Sequence, residues 1–161
     1  MGKHQRLVAD VMLAKLARWL RLAGIEVEAA AITDDNRLIA SVKRKNAMLL
    51  TSDRELSLRA RRRKFKVLYV PEASIDDQLA FVARSLKLRI GVSNSKICTK
   101  CGGKLERVKK SEVAGKVPQL AYDKNRYFYM CKKCGKIYWK GTHWKSITKR
   151  LKKVRRMAHS Y

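Results

Sequence analysis

The stretch RLVADVMLAKLARWLRLAGIEV, residues 6–27, decides how the first half of the chain is read. Leu7, Val8 and Ala9 make a short apolar run of strand type, and Asp10 interrupts it. From residue 11 the apolar positions return at helical spacing, with Met12, Leu13, Leu16, Trp19, Leu20 and Ala23 on one face. Gly24 is a natural helix stop. Ile25, Val27 and Ala29 then alternate as a second strand would. Asp10 therefore stands where a strand hands over to a helix.

The same handover recurs. Asp34 or Asp35 opens a helix through about Lys45, with Leu38, Ile39 and Val42 inward. Ala47–Leu50 reads as a buried strand, and Thr51-Ser52-Asp53 turns into the helix RELSLRARRRK. Val67–Val70 is a strand closed by Pro71, and Asp76-Asp77 starts a helix carrying Leu79, Phe81, Val82 and Leu86. Four strand–helix units with continuous apolar strands imply an α/β fold, a parallel sheet flanked by helices. In such sheets the functional crevice lies outside the carboxyl ends of the strands. Asp10, Asp34 or Asp35, Asp53, and Asp76 or Asp77 all fall at that edge.

Any one of these acids has a bland explanation. Aspartate caps helices well, because its carboxylate accepts from the free N–H groups of the first turn, an effect of about 1 kcal/mol. Yet Ser, Thr and Asn cap equally well, and this chain has 39 Lys and Arg against only 13 Asp and Glu. Recurrence of aspartate at every strand exit points to a second use. Clustered carboxylates repel one another and need a cation, and hard oxygen donors suit Mg²⁺ or Mn²⁺.

Composition narrows the partner. A formal charge of +26 makes a surface that repels itself and calls for a polyanion, with nucleic acid first and an anionic membrane surface second. No apolar stretch is long enough for a membrane span, and the N-terminal apolar run is too short for a secretory signal, so a cytoplasmic location is expected. The charge is uneven. Residues 1–90 hold 19 basic and 10 acidic residues, whereas residues 91–161 hold 20 and 3, and all four cysteines lie in the second part. The shift falls at Gly91-Val92-Ser93-Asn94-Ser95, which divides the chain into 1–92, 93–144 and 145–161.

The second part carries Cys98-x-x-Cys101 and Cys131-x-x-Cys134. Two such pairs supply four thiolates for a tetrahedral Zn²⁺, and the closed ligand set makes that zinc structural. Gly102 and Gly135 follow the second cysteine of each pair, where the turn needs freedom of φ. A redox dithiol needs one pair only, and disulfides do not suit a chain with no secretory signal. Lys104–Val108 and Tyr127–Met130 read as ribbon strands. The aromatics among the lysines here have two uses, stacking on unpaired bases or packing the ribbon against the first domain, and packing suits most of them. His143 is not needed as a zinc ligand.

The tail KSITKRLKKVRRMAHSY has seven basic residues and no acid. Ile147, Leu151, Val154 and Ala158 fall on one helical face. Lys149, Arg150, Lys152, Lys153, Arg155 and Arg156 fill the rest and are candidates for RNA phosphate, as are Arg61, Arg62 and Arg63. An anionic membrane surface is the second reading of this helix, and a solvated basic helix is the plainer alternative.

Taken in order, LVADVMLAKLARWLRLAG, DDNRLIA, LLTSDRELSLRA, DDQL, CTKCGGKL and CKKCGKIYWKGTHWKSI resemble the Mut-seven C-terminal-type RNase domain family from about residue 6 to residue 147. The resemblance implies a PIN-like fold with an appended zinc ribbon, here followed by a basic C-terminal helix. It also implies a metal-dependent endoribonuclease, a hydrolase, and the basic tail and high total charge point to structured or ribosomal RNA as what it acts on. By that likeness Asp10, Asp35, Asp53 and Asp76 would hold Mg²⁺ or Mn²⁺ and carry catalysis, while Cys98, Cys101, Cys131 and Cys134 would hold zinc. The alternative is a non-catalytic, ribosome-associated RNA-binding protein that uses the same fold and ribbon as a scaffold.

Overall fold

The computed structural model describes residues 5–91 and 95–160; Val92, Ser93 and Asn94, at the centre of the expected boundary, lie outside the described residues. Strand β1 (Leu7–Ala9) leads through a 3-10 turn (Val11–Leu13) into helix α1 (Ala14–Leu22). There follow β2 (Glu28–Ala29), α2 (Asp35–Arg44), β3 (Met48–Thr51), α3 (Arg54–Arg62), β4 (Val67–Tyr69) and α4 (Ile75–Ser85). The four strands form one parallel sheet in the order β2-β1-β3-β4.

This order sets the layers. The chain steps from β1 to β2 in one direction and from β2 through β3 to β4 in the other, so right-handed crossovers put α1 on one face and α2 and α3 on the opposite face. The apolar side chains sort the same way, alternating with the two-residue period of a strand. Leu7, Ala9 and Leu50 join α1 and α4 in one core cluster, while Val8 and Leu49 join Leu38, Ile39, Val42 and Leu56 in the other.

Two local expectations give way to the backbone. Met12 is exposed rather than inward, because residues 11–13 wind as a 3-10 turn and the α-helical phase starts only at Ala14. The second strand shrinks to Glu28–Ala29, since β2 is an edge strand and its register with β1 covers only Val8↔Glu28 and Ala9↔Ala29. Ile25 and Val27 still bury, but from a loop.

Beyond the sheet lies a three-stranded antiparallel sheet in the order β5-β6-β7, built from β5 (Leu105–Val108), β6 (Phe128–Cys131) and β7 (Ile137–Tyr138). A short helix α5 (Gln119–Lys124) sits between β5 and β6. Buried Phe128 packs with Tyr122 and Trp139, giving the ribbon a small aromatic core of its own.

Helix α6 (Trp144–His159) returns to the parallel-sheet unit, with α4 as its main neighbour. Leu151 and Val154 are fully buried in the α1/α4 cluster, and Ile147, Met157 and Ala158 pack against it. The apolar stripe of the basic tail is thus the helix's inner face. Among the described residues no helix is long and apolar enough to cross a membrane.

Candidate functional site

Order β2-β1-β3-β4 makes the junction of β1 and β3 a topological switch point, where connections leave in opposite directions and a crevice opens at the strand carboxyl ends. Asp10 and Thr51 face each other there, one step past the register pair Ala9↔Leu50. Asp10 is only 3% exposed. Its Oδ1 accepts from the Met12 amide at 2.7 Å, which caps the 3-10 turn, and its Oδ2 accepts from the Thr51 hydroxyl. The Thr51 Oγ1 in turn accepts from the amide of Asp53 at 3.0 Å. One buried hydroxyl therefore ties the Asp10 carboxylate to the backbone of Asp53. That is the physical content of the Thr-x-Asp step. Its third residue is a candidate by sequence alone, whereas nothing in the sequence marks the first as a bridge.

Asp53 caps α3, its Oδ1 accepting from the Leu56 amide at 2.9 Å. Asp34 caps α2 through the Arg37 amide at 2.8 Å, while Asp35, in the first turn, pairs with Arg59 at 3.1 Å. Asp76 is held differently. Ser74, not an aspartate, caps α4, and the Asp76 carboxylate receives the Arg150 guanidinium on one oxygen and the Lys153 ammonium at 3.0 Å on the other. Burial pushes the Asp76 carboxyl up, but these two cations more than offset it and hold it below its ordinary value. Asp77 accepts from the Ser74 hydroxyl.

The four expected acids do not gather into one ligand set. Asp10 and Asp53 are joined through Thr51, Asp35 stands with Arg59, and Asp76 anchors α6. Among the described residues, the one group of three or more His, Cys, Asp or Glu whose donor atoms come together is Cys98, Cys101, Cys131 and Cys134, all within 4.8 Å of one another. Their Cys98–Cys134 and Cys101–Cys131 sulfur separations are 3.7 and 3.4 Å. Four sulfurs about 2.3 Å from a tetrahedral zinc would stand about 3.8 Å apart, so the cluster fits the ion.

Local structure prepares each thiolate. Gly102 and Gly135 turn at φ +76 and +73 behind their cysteine pairs. Amides of Gly103, Lys133 and Cys134 point at the Cys101 and Cys131 sulfurs, and the Tyr138 hydroxyl lies 3.0 Å from Cys98. Burial pushes the Cys98 thiol up, but hydrogen bonds from Tyr138 and from the Cys101 and Lys100 amides bring it down to about 6. Burial and the neighbouring sulfurs push Cys101 up to about 12, despite the Gly103 amide. Four thiols in so small a space do not all ionise alone; a dication removes that conflict.

The basic candidates divide by position. Arg150 and Lys153 face Asp76, and Arg150 also lies 4.7 Å over the Trp19 ring. Lys149, Lys152, Arg155 and Arg156 line the outer side of α6 with Trp144, Lys145 and Thr148, along an open groove of about 600 Å³. Arg61 and Arg62 end α3 and Arg63 follows it, and the Arg63 guanidinium reaches the Asn36 side chain at 3.5 Å, in the first turn of α2 beside Asp35. His143 precedes α6 and makes no side-chain cap.

One residue with a clear structural role escapes a reading of the sequence. Arg21 is 3% exposed. Its guanidinium donates to the Val27, Thr99 and Lys100 carbonyls at 2.9, 3.1 and 3.2 Å, which joins α1 to the first cysteine loop. Nothing in an amphipathic pattern distinguishes it from the exposed Arg18.

No curated protein and no solved structure matches the chain. The Mut7-C RNAse domain matches residues 5–151, which takes in the parallel sheet, the ribbon and the first half of α6, and the chain belongs to that family.

Proposed function

We propose that this protein is a metal-dependent endoribonuclease of PIN-like type, acting on structured or ribosomal RNA in the cytoplasm. Membership of a ribonuclease family connects it to RNA, and the observation that carries the siting is the Asp10–Thr51–Asp53 link at the β1/β3 switch point. Asp10 and Asp53 present hard oxygen donors of the kind that Mg²⁺ or Mn²⁺ takes, and Asp35 on α2 is the third candidate once it leaves Arg59. Asp10 and Asp53 would hold such an ion, which would supply activation of water and screening of the charge that builds on the phosphate. Thr51 keeps the Asp10 carboxylate in its rotamer and Asp53 at its position. Asp76, expected from the sequence to share this work, is better read as the anchor of α6. The outer face of α6 gathers RNA phosphate.

The alternative is a non-catalytic RNA-binding protein seated on the ribosome. It is favoured by a specific observation: Asp10, Asp34 and Asp53 all serve as caps, and Asp35 and Asp76 as ion-pair partners. Cleavage of total and ribosomal RNA with Mn²⁺ or Mg²⁺ separates the two. Turnover that disappears in an Asp10→Asn/Asp53→Asn variant supports the nuclease. Tight binding without turnover in either protein supports the scaffold.

A further inference from the structure

We infer that Arg21 is the buried counter-charge of a metal-loaded four-thiolate cluster, and that it couples metal binding in the ribbon to the helix that follows Asp10.

Arg21 is a cation taken out of water with no anion to meet it among the described residues. It is 3% exposed. Its acceptors are neutral carbonyls, and it belongs to no ion pair among the described residues. An uncompensated buried charge is costly, and proteins answer it with a partner of opposite sign.

The surroundings say where that partner belongs. Thr99 and Lys100, which accept from the guanidinium, are the two residues enclosed by Cys98 and Cys101. A Cβ on Gly102, the next residue, would meet the Arg21 Nε and Nη2 at 3.3 Å, so the guanidinium lies directly against the cysteine loop. From the other side Ser95 donates its hydroxyl to the Arg21 carbonyl at 2.6 Å. Both ends of this residue are thus fastened to the ribbon.

The cluster supplies the missing anion only when it is loaded. Four thiolates around one divalent ion leave two formal negative charges, with Cys98 and Cys131 buried. The loop carbonyls orient the guanidinium but do not neutralise it; the cluster does. Groups in this outer position tune affinity by about 10–100-fold. Arg21 lies on α1, which starts directly behind the Asp10 turn, so a loaded ribbon braces the helix that follows Asp10.

A mere docking peg would also lose stability on mutation, so the test reads charge specifically. Zn²⁺ affinity of the full chain is measured by competition with a chromophoric chelator, for Arg21 and for Arg21→Gln. Each is taken with Cys134 intact and with Cys134→His, which replaces an exposed thiolate by a neutral ligand and halves the negative charge of the cluster. The expected result is a loss of about 10–100-fold for Arg21→Gln with four cysteines, and a clearly smaller loss in the Cys134→His background. Arg21→Lys, which keeps the charge, should retain more affinity than Arg21→Gln. An Arg21→Gln penalty that is equal in both backgrounds, or absent, overturns the inference. If Arg21→Gln does not fold, Arg21→Met carries the same cycle with no buried polar head. None of this depends on the ribonuclease reading.

Discussion

The cysteine cluster and the aspartate edge are both sets of metal-ligand types, yet the fold treats them differently. The four sulfurs stand within 4.8 Å of one another, each pair fixed by a short loop whose geometry is local. Asp10, Asp34, Asp35, Asp53 and Asp76 are each occupied, as caps or as ion-pair partners, and are spread along the ends of four strands. Thiolates on two loops have one good solution, a soft ion between them. Carboxylates at helix starts have several, and the commonest is to cap the helix. A closed structural site is therefore complete in the fold, whereas an open edge has only its first pair, Asp10 and Asp53, already linked.

The comparison can be broken most severely at the ribbon. Cys98→Ser, or removal of metal by a chelator, should unfold β5–β7, since metal binding of about 10–16 kcal/mol is folding energy in such small units. Loss of ribbon signals in a protein NMR spectrum, with those of the parallel sheet retained, is the expected outcome; an unchanged ribbon would contradict it.

At the aspartate edge the largest structural effect should come from Thr51→Val. The side chain is fully buried, and removing its hydroxyl leaves an Asp10 oxygen and the Asp53 amide without a partner, at a cost of about 1–3 kcal/mol. Chemical denaturation reads it directly. A stability equal to wild type would mean that Thr51 does not bridge the two strands.

Asp76→Asn should cost less, about 1 kcal/mol, because both of its cations are partly solvated. Its pH signature is specific. The folded-state pKa lies below the ordinary 3.8, so the contribution is present above that unfolded value and fades as pH falls through the folded one. Wild type and variant should therefore differ at neutral pH and converge in acid. A gap that persists in acid would contradict the anchor role.

The smallest effect on folding, with a clear one on binding, is expected for Lys149→Ala/Lys152→Ala/Arg156→Ala on the outer face of α6. RNA affinity should fall, and the slope of log affinity against log salt should flatten by about 0.7 for each single-strand phosphate that the helix no longer neutralises. An unchanged slope would remove α6 from the RNA surface.

How far these features are legible in the sequence depends on how local they are. The alternation at Leu7–Ala9 and the cysteine spacing announce themselves, because strand period and metal loops are short-range. The caps are half legible: Asp10, Asp34 and Asp53 cap as their positions suggest, but Ser74 takes that place on α4 and frees Asp76 for a helix more than seventy residues away. Nothing near Asp76 marks Arg150 as its partner. The type of turn at residues 11–13 moves Met12 off the inner face, and β7 and α5 are too short for any period to show. Arg21 looks like any solvent-facing arginine until the ribbon is packed on it.

The most direct measurement is RNA cleavage with Mn²⁺ or Mg²⁺, comparing wild type with Asp10→Asn/Asp53→Asn and following binding in the same tubes. A nuclease centred on Asp10 and Asp53 predicts a double variant that folds and binds RNA as wild type does and cleaves at least a hundredfold more slowly, the scale of losing a principal electrostatic element of an active site, about 10²–10³. Equal cleavage by the two proteins, or binding by both with no cleavage, would contradict it and leave these aspartates as helix caps.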